Sequence, residues 1–134
     1  MIHAYKNLFK DYRGFGDSES CNNDIECFSN NWDTQSDGVA WVLSANGEFQ
    51  FSGSLLNNTA ENYRPYFLTA FHCVDLDHND WVSSNEKDNV NSWSFRFQYK
   101  VKECNGSTVR TYYTYNGANY ISGWYKTDFA LVEM

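Results

Sequence analysis

The sequence predicts an all-β fold, a sandwich or small barrel of roughly six strands. Three observations carry that reading: apolar and polar residues alternate with period two over several short runs, turn residues punctuate those runs, and there is no long helical pattern. With 134 residues, 42% hydrophobic and 19% aromatic, the chain suits one domain with a sizeable core, and disorder of the whole chain is excluded.

Residues 1–20 read as an arm. Ile2, Tyr5, Phe9 and Tyr12 have helix-like spacing, yet nothing caps them, and Gly14 and Gly16 lead into a polar stretch through Asn31. Residues 39–43 are rich in β-formers, Asn46-Gly47 is a strong hairpin signal, and residues 48–56 return with Phe49 and Phe51 alternating against polar neighbours. Pro65, the only proline, precedes a further apolar run at 66–70, where a missing N–H is tolerated at a strand's start. From Trp93 onward, Trp93, Phe95, Phe97, Tyr99 and Val101 face one way, buried, while Ser94, Arg96, Gln98, Lys100 and Lys102 face water. Asn105-Gly106 turns the chain into a strand at 108–115, which Tyr120 and Ile121 extend or follow, and residues 129–132 form a last strand. No internal repeat or Pro-rich linker interrupts this order.

Charge and cysteines limit the partners and the compartment. Seventeen acidic against ten basic side chains give a net charge of −7, which offers no footprint for nucleic acid or for an anionic membrane surface. No apolar run approaches the ~20 residues that cross a bilayer, and the first residues lack the apolar stretch of a secretory signal. Four cysteines, Cys21, Cys27, Cys73 and Cys104, fit an oxidised extracellular domain. Zinc is the rival reading, but five residues separate Cys21 from Cys27 and the other two stand alone. The expectation is a chain cut from a longer secreted precursor, or an artificial start at Met1.

Of three histidines, His3, His72 and His78, only His72 ends a strong apolar strand, where a rigid sheet hands over to a loop. That is a platform for a general base; the alternative is a half-buried ring that satisfies a carbonyl. Asp128 heads the apolar run Phe129-Ala130-Leu131, and a carboxylate there needs a donor. His72 is a natural partner; the alternative is an Asx cap on turn amides. Gly16-Asp17-Ser18 has the look of a nucleophile turn, but Glu19 follows the serine where glycine is needed to bring amides to an oxyanion. Asp75, Asp77, Asn79 and Glu86 fall at positions 1, 3, 5 and 12 of a calcium loop, with Asp80 where glycine normally makes the sharp turn. The plain alternative is a solvated acidic loop.

With these pieces in place, the sequence resembles the trypsin-like serine endopeptidases of bacterial lysyl-endopeptidase type. The matching segments are Ser20-Cys21-Asn22 with Cys27, Phe51-Ser52-Gly53-Ser54-Leu55-Leu56-Asn57-Asn58-Thr59-Ala60, Tyr66-Phe67-Leu68-Thr69-Ala70-Phe71-His72-Cys73, Cys104, and Thr127-Asp128-Phe129-Ala130-Leu131-Val132-Glu133, over about residues 20–134. The resemblance implies a secreted hydrolase with His72 as general base and Asp128 as the residue that orients it. It also implies that residues 21–134 form the N-terminal barrel of the chymotrypsin-like double barrel, a six-stranded antiparallel Greek key. In that family the serine, the oxyanion amides and the specificity pocket belong to a second barrel. The chain alone is therefore expected to be inactive, its partners being the missing C-terminal barrel and a protein or peptide substrate, with no cofactor.

By the same resemblance Cys27 pairs with Cys104, and Cys21 matches a cysteine whose partner lies in the second barrel. Cys73 would pair with a cysteine at the position of Phe51; here Phe51 is expected to fill that volume, leaving Cys73 a small buried thiol. An apolar face meant for a sister barrel, together with an unpaired cysteine, favours self-association. The competing reading is a non-catalytic β-barrel interaction module that binds protein or peptide, with or without calcium stabilisation.

Overall fold

The computed structural model describes residues 21–44, 47 and 49–134. The N-terminal arm, His3, the Gly16-Asp17-Ser18 turn and Asn46 lie outside the described residues. Seven strands form one antiparallel sheet: β1 (Val39–Leu43), β2 (Gln50–Leu56), β3 (Tyr66–Ala70), β4 (Ser94–Phe97), β5 (Tyr113–Asn116), β6 (Asn119–Trp124) and β7 (Phe129–Glu133). Two short helices, α1 (Ser29–Asp37) and α2 (Ser84–Val90), accompany them.

The strand order is β5-β4-β1-β2-β3-β7-β6, so the two edge strands are consecutive in sequence. Only residues 117–118 separate them. Three peptide units span at most about 11 Å, so the sheet must curl until its edges approach at that end. Seven strands stand where roughly six were expected, and no ladder among the described residues joins β5 to β6.

Inward-facing residues make the core: Ala40 and Val42 from β1, Phe67 from β3, Phe95 and Phe97 from β4, Ala130 and Val132 from β7, with Trp93 beside them. Rings from neighbouring strands meet edge to face, Phe67 on Phe95 at 5.1 Å and Phe51 on Trp93 at 4.7 Å, the geometry their quadrupoles favour. Phe51 thus packs against the core. The β1–β2 hairpin closes as its residues indicated, with Gly47 at φ 65° donating its N–H to the Ser44 carbonyl at 2.9 Å.

Two expectations change. The alternation from Trp93 to Lys102 ends at Phe97, because Gln98 adopts φ 58° and turns the chain. Beyond that turn Lys100 is buried, ion-paired to Glu26 at 2.8 Å and to Asp33 at 3.5 Å, and bonded to Ser36 at 2.9 Å. Only an isolated bridge, Val101 to Val109, remains of the long pairing, and β5 begins at Tyr113 rather than at 108. Helix α1 lies within and beyond the stretch read as polar. It has no side-chain cap, and Lys100 ties it to the sheet through Asp33 and Ser36.

Candidate active site

Strand β3 ends at Ala70 and passes into a 3₁₀ turn, Phe71–Cys73, whose first residue is buried and whose second, His72, projects into solvent. Strand β7 pairs with β3 in antiparallel register, Ala70 opposite Phe129, so the residue before Phe129 lands beside the residues after Ala70. That residue is Asp128. Fifty-six positions of sequence separate His72 from Asp128, and the β3–β7 ladder brings them into contact.

The contact is double. His72 Nδ1 lies 2.7 Å from Asp128 Oδ2, and the His72 main-chain N–H donates to Oδ1 at 3.0 Å. A third bond, from the Phe71 N–H to the Asp128 carbonyl at 3.1 Å, closes the backbones together. Asp128 adopts φ 53°, the left-handed region that aspartate tolerates better than most residues. Burial pushes its carboxyl pKa upward, but the main-chain and ring hydrogen bonds from His72 outweigh that and hold it below the ordinary aspartate value. An ionised carboxylate is acceptor-only, so Nδ1 must carry the proton and Nε2 is left with a free lone pair. The arrangement can accept a proton at Nε2 and stabilise the resulting imidazolium. Both side chains are half open to solvent, 61% and 50%, so Asp128 is less buried than its place before an apolar strand suggested.

Gly123 of β6, which no sequence signal singled out, allows the close packing behind this pair. A Cβ there would stand 2.8 Å from the Phe129 carbonyl oxygen, the Phe71 ring and the Tyr120 hydroxyl. Phe71 and Phe129 are the chain neighbours of His72 and Asp128.

The acidic residues of the loop after His72 also converge. Carboxylate oxygens of Asp75, Asp77 and Glu86 lie within 4.8 Å of one another. Asp75 accepts the N–H groups of Asn79 at 3.2 Å and Asp80 at 3.0 Å, and Asn79 also donates its side-chain amide to Asp77 at 2.9 Å. Asp80, at the position where a calcium loop has glycine, takes φ 68°. Glu86 accepts from Leu76 N–H at 2.7 Å and from both the N–H and hydroxyl of Ser83 at 2.8 Å. The cluster is thus an amide-binding centre for its own loop. The Ser83-x-x-Glu86 spacing of a capping box is the sequence signal that could have pointed to Glu86's part in it, beyond its calcium-loop position. His78, at φ 57°, is exposed on the same loop.

Cys27 and Cys104 form a disulfide across 77 positions, beside the Lys100 ion pairs. Cys21 is free and exposed. Cys73 is free and only partly buried, more open than the small buried thiol expected, and burial pushes its pKa up to about 11. Among the described residues no helix is long and apolar enough to cross a membrane.

The family comparison extends a few residues beyond the resemblance noted above. Residues 15–134 match the family described as the lysyl endopeptidase C-terminal domain, and by that match the chain belongs to this protease family.

Proposed function

We propose that this chain supplies the general base, His72, and the orienting carboxylate, Asp128, for peptide-bond hydrolysis by a secreted serine endopeptidase. The observation that carries the reading is the 2.7 Å contact between His72 Nδ1 and Asp128 Oδ2, in a chain of the lysyl endopeptidase family. In this reading the curled sheet is the first barrel of the double-barrel protease fold. The nucleophilic serine, the oxyanion donors and the specificity pocket come from a second barrel, and without it the chain is inactive. In the acylation step His72 Nε2 takes the serine hydroxyl proton as the oxygen attacks the scissile carbonyl. His72 then returns that proton to the leaving amine, while Asp128 holds the ring and offsets its charge.

The apolar side chains around the pair support a partner on this face. Trp124, Tyr125 and Phe129 are exposed and flank Asp128 in sequence, and Trp124 is opposite Phe129 in the β6–β7 ladder. The same face would serve a non-catalytic module that binds protein or peptide, and it favours self-association when uncovered. The disulfide supports an oxidising, extracellular location.

The test is reconstitution. The chain is combined with the nucleophile-bearing half of a lysyl endopeptidase-type protease, and hydrolysis of a peptide ester or amide is followed. Activity should appear only with both halves, and Asp128→Asn should lower kcat by roughly 10⁴. An assembled complex that stays inert would favour the interaction module.

A further inference from the structure

We propose that Glu86 is a positioning residue for His72, acting through the loop that leaves the histidine turn; this rests on the general-base reading above. Residues 71–76 run from the turn directly to Glu86's ligands. The Phe71 carbonyl accepts the N–H groups of Val74 at 2.9 Å and Asp75 at 3.0 Å, and the next N–H, that of Leu76, donates to Glu86 at 2.7 Å. Glu86 is itself buried, 6% exposed, and its other oxygen takes the Ser83 N–H and hydroxyl. One carboxylate therefore fastens the exit of the His72 turn to the first turn of α2.

Helix α2 reaches the other half of the site as well. Lys87, the next residue, lies over the Tyr120 ring at 5.8 Å, and Tyr120 is on β6, which pairs with β7 directly after Asp128. The route His72 turn, Glu86, α2, β6, β7, Asp128 is a closed circuit of backbone and side-chain contacts, its α2–β6 link made by the exposed Lys87 over the half-buried Tyr120 ring. The buried Phe71 and Val74 side chains set how deeply the turn sits. Glu86 fixes the direction in which its chain leaves, and hence the aim of the imidazole at Asp128.

The readout is the tautomer of neutral His72, from the ¹⁵N shifts of its ring in the isolated chain at alkaline pH. In the wild type, bonding to Asp128 holds the ring as the Nδ1–H tautomer, and Asp128→Asn abolishes that preference. Glu86→Gln is expected to shift the population at least severalfold toward Nε2–H. Ser83→Ala, which weakens the helix cap but leaves Leu76 anchored, is expected to leave it in place. Should Glu86→Gln not fold, Glu86→Asp, which keeps the charge and shortens the reach, is read by the same criterion. An unchanged tautomer in the Glu86 variant, with the Asp128 effect intact, overturns the inference alone; an equal shift in Ser83→Ala overturns it too, by showing general loosening. A wild-type ring with no Nδ1–H preference that ignores Asp128→Asn would instead remove the general-base reading beneath it.

Discussion

Asp128 grips His72 with both carboxylate oxygens, one on the ring nitrogen at 2.7 Å and one on the main-chain N–H at 3.0 Å. A single ring contact would leave the imidazole free to pivot about its Cα. The second bond ties the carboxylate to the histidine's own backbone, so the ring cannot swing away from the acid by pivoting on the Nδ1 contact alone.

That grip has a pH signature. The folded Asp128 pKa lies below its ordinary value, so the stability it adds is present above about pH 4 and is lost as pH falls through the folded pKa. Because the carboxylate is half exposed, the expected contribution is about 0.5–1 kcal/mol. Urea melts of wild type and Asp128→Asn should differ by that amount at neutral pH and converge in acid. A gap that persists unchanged at low pH would contradict the assignment.

Glu86 behaves the same way in sign. Its pKa is pushed up by burial but held below the ordinary glutamate value by the hydrogen bonds of Ser83, Leu76 and Asp77. Glu86→Gln is expected to cost about 1–3 kcal/mol at neutral pH, since a buried amide cannot accept all of those donors. The loss should diminish in acid, where the wild-type carboxyl is protonated too. Chemical denaturation across pH measures it.

Calcium is expected to leave the melting temperature unmoved. A calcium site needs six to eight oxygen ligands, and the oxygens of Asp75 and Glu86 already accept N–H groups of their own loop. A thermal shift at millimolar calcium would show instead that the loop rearranges around the ion.

Thiol labelling separates the cysteines. Cys21 is exposed, whereas the Cys73 thiol, with a pKa of about 11, is almost wholly protonated near pH 8. One group should react quickly in the native chain and two after unfolding without reductant. Breaking the Cys27–Cys104 bridge by Cys104→Ser is expected to cost roughly 4 kcal/mol on the chain-entropy model, given the 77-residue separation. Equilibrium unfolding of the two proteins tests this.

Gly123→Ala should disturb the site from behind. The new methyl would press on the Phe71 ring and on the Phe129 carbonyl, and a loss of about 1–3 kcal/mol is expected. Changed ring shifts for His72 in the NMR spectrum would accompany it, and an unperturbed spectrum would mean that the strands part without moving the site.

Short apolar, β-rich runs, read alone, located β1, β3 and β7 almost to the residue, because central strands of the sheet carry apolar side chains on both faces and stand out as continuous runs. Strand β4 was overextended, since alternation cannot reveal that Gln98 enters a left-handed conformation and reverses which residues face inward. Helix α1 was invisible because no apolar stripe marks it; one ion pair and one hydrogen bond from a lysine some sixty residues away hold it. His72 and Asp128 were legible as residue types at the ends of apolar strands. Their meeting was decided by the β3–β7 register, and Glu86's grip on the loop behind them by a fold that brings an N-capping carboxylate under Leu76. Local pattern reports which side of a strand is buried; which strand lies beside it, and which distant side chain satisfies a buried amide, is set only when the whole chain packs.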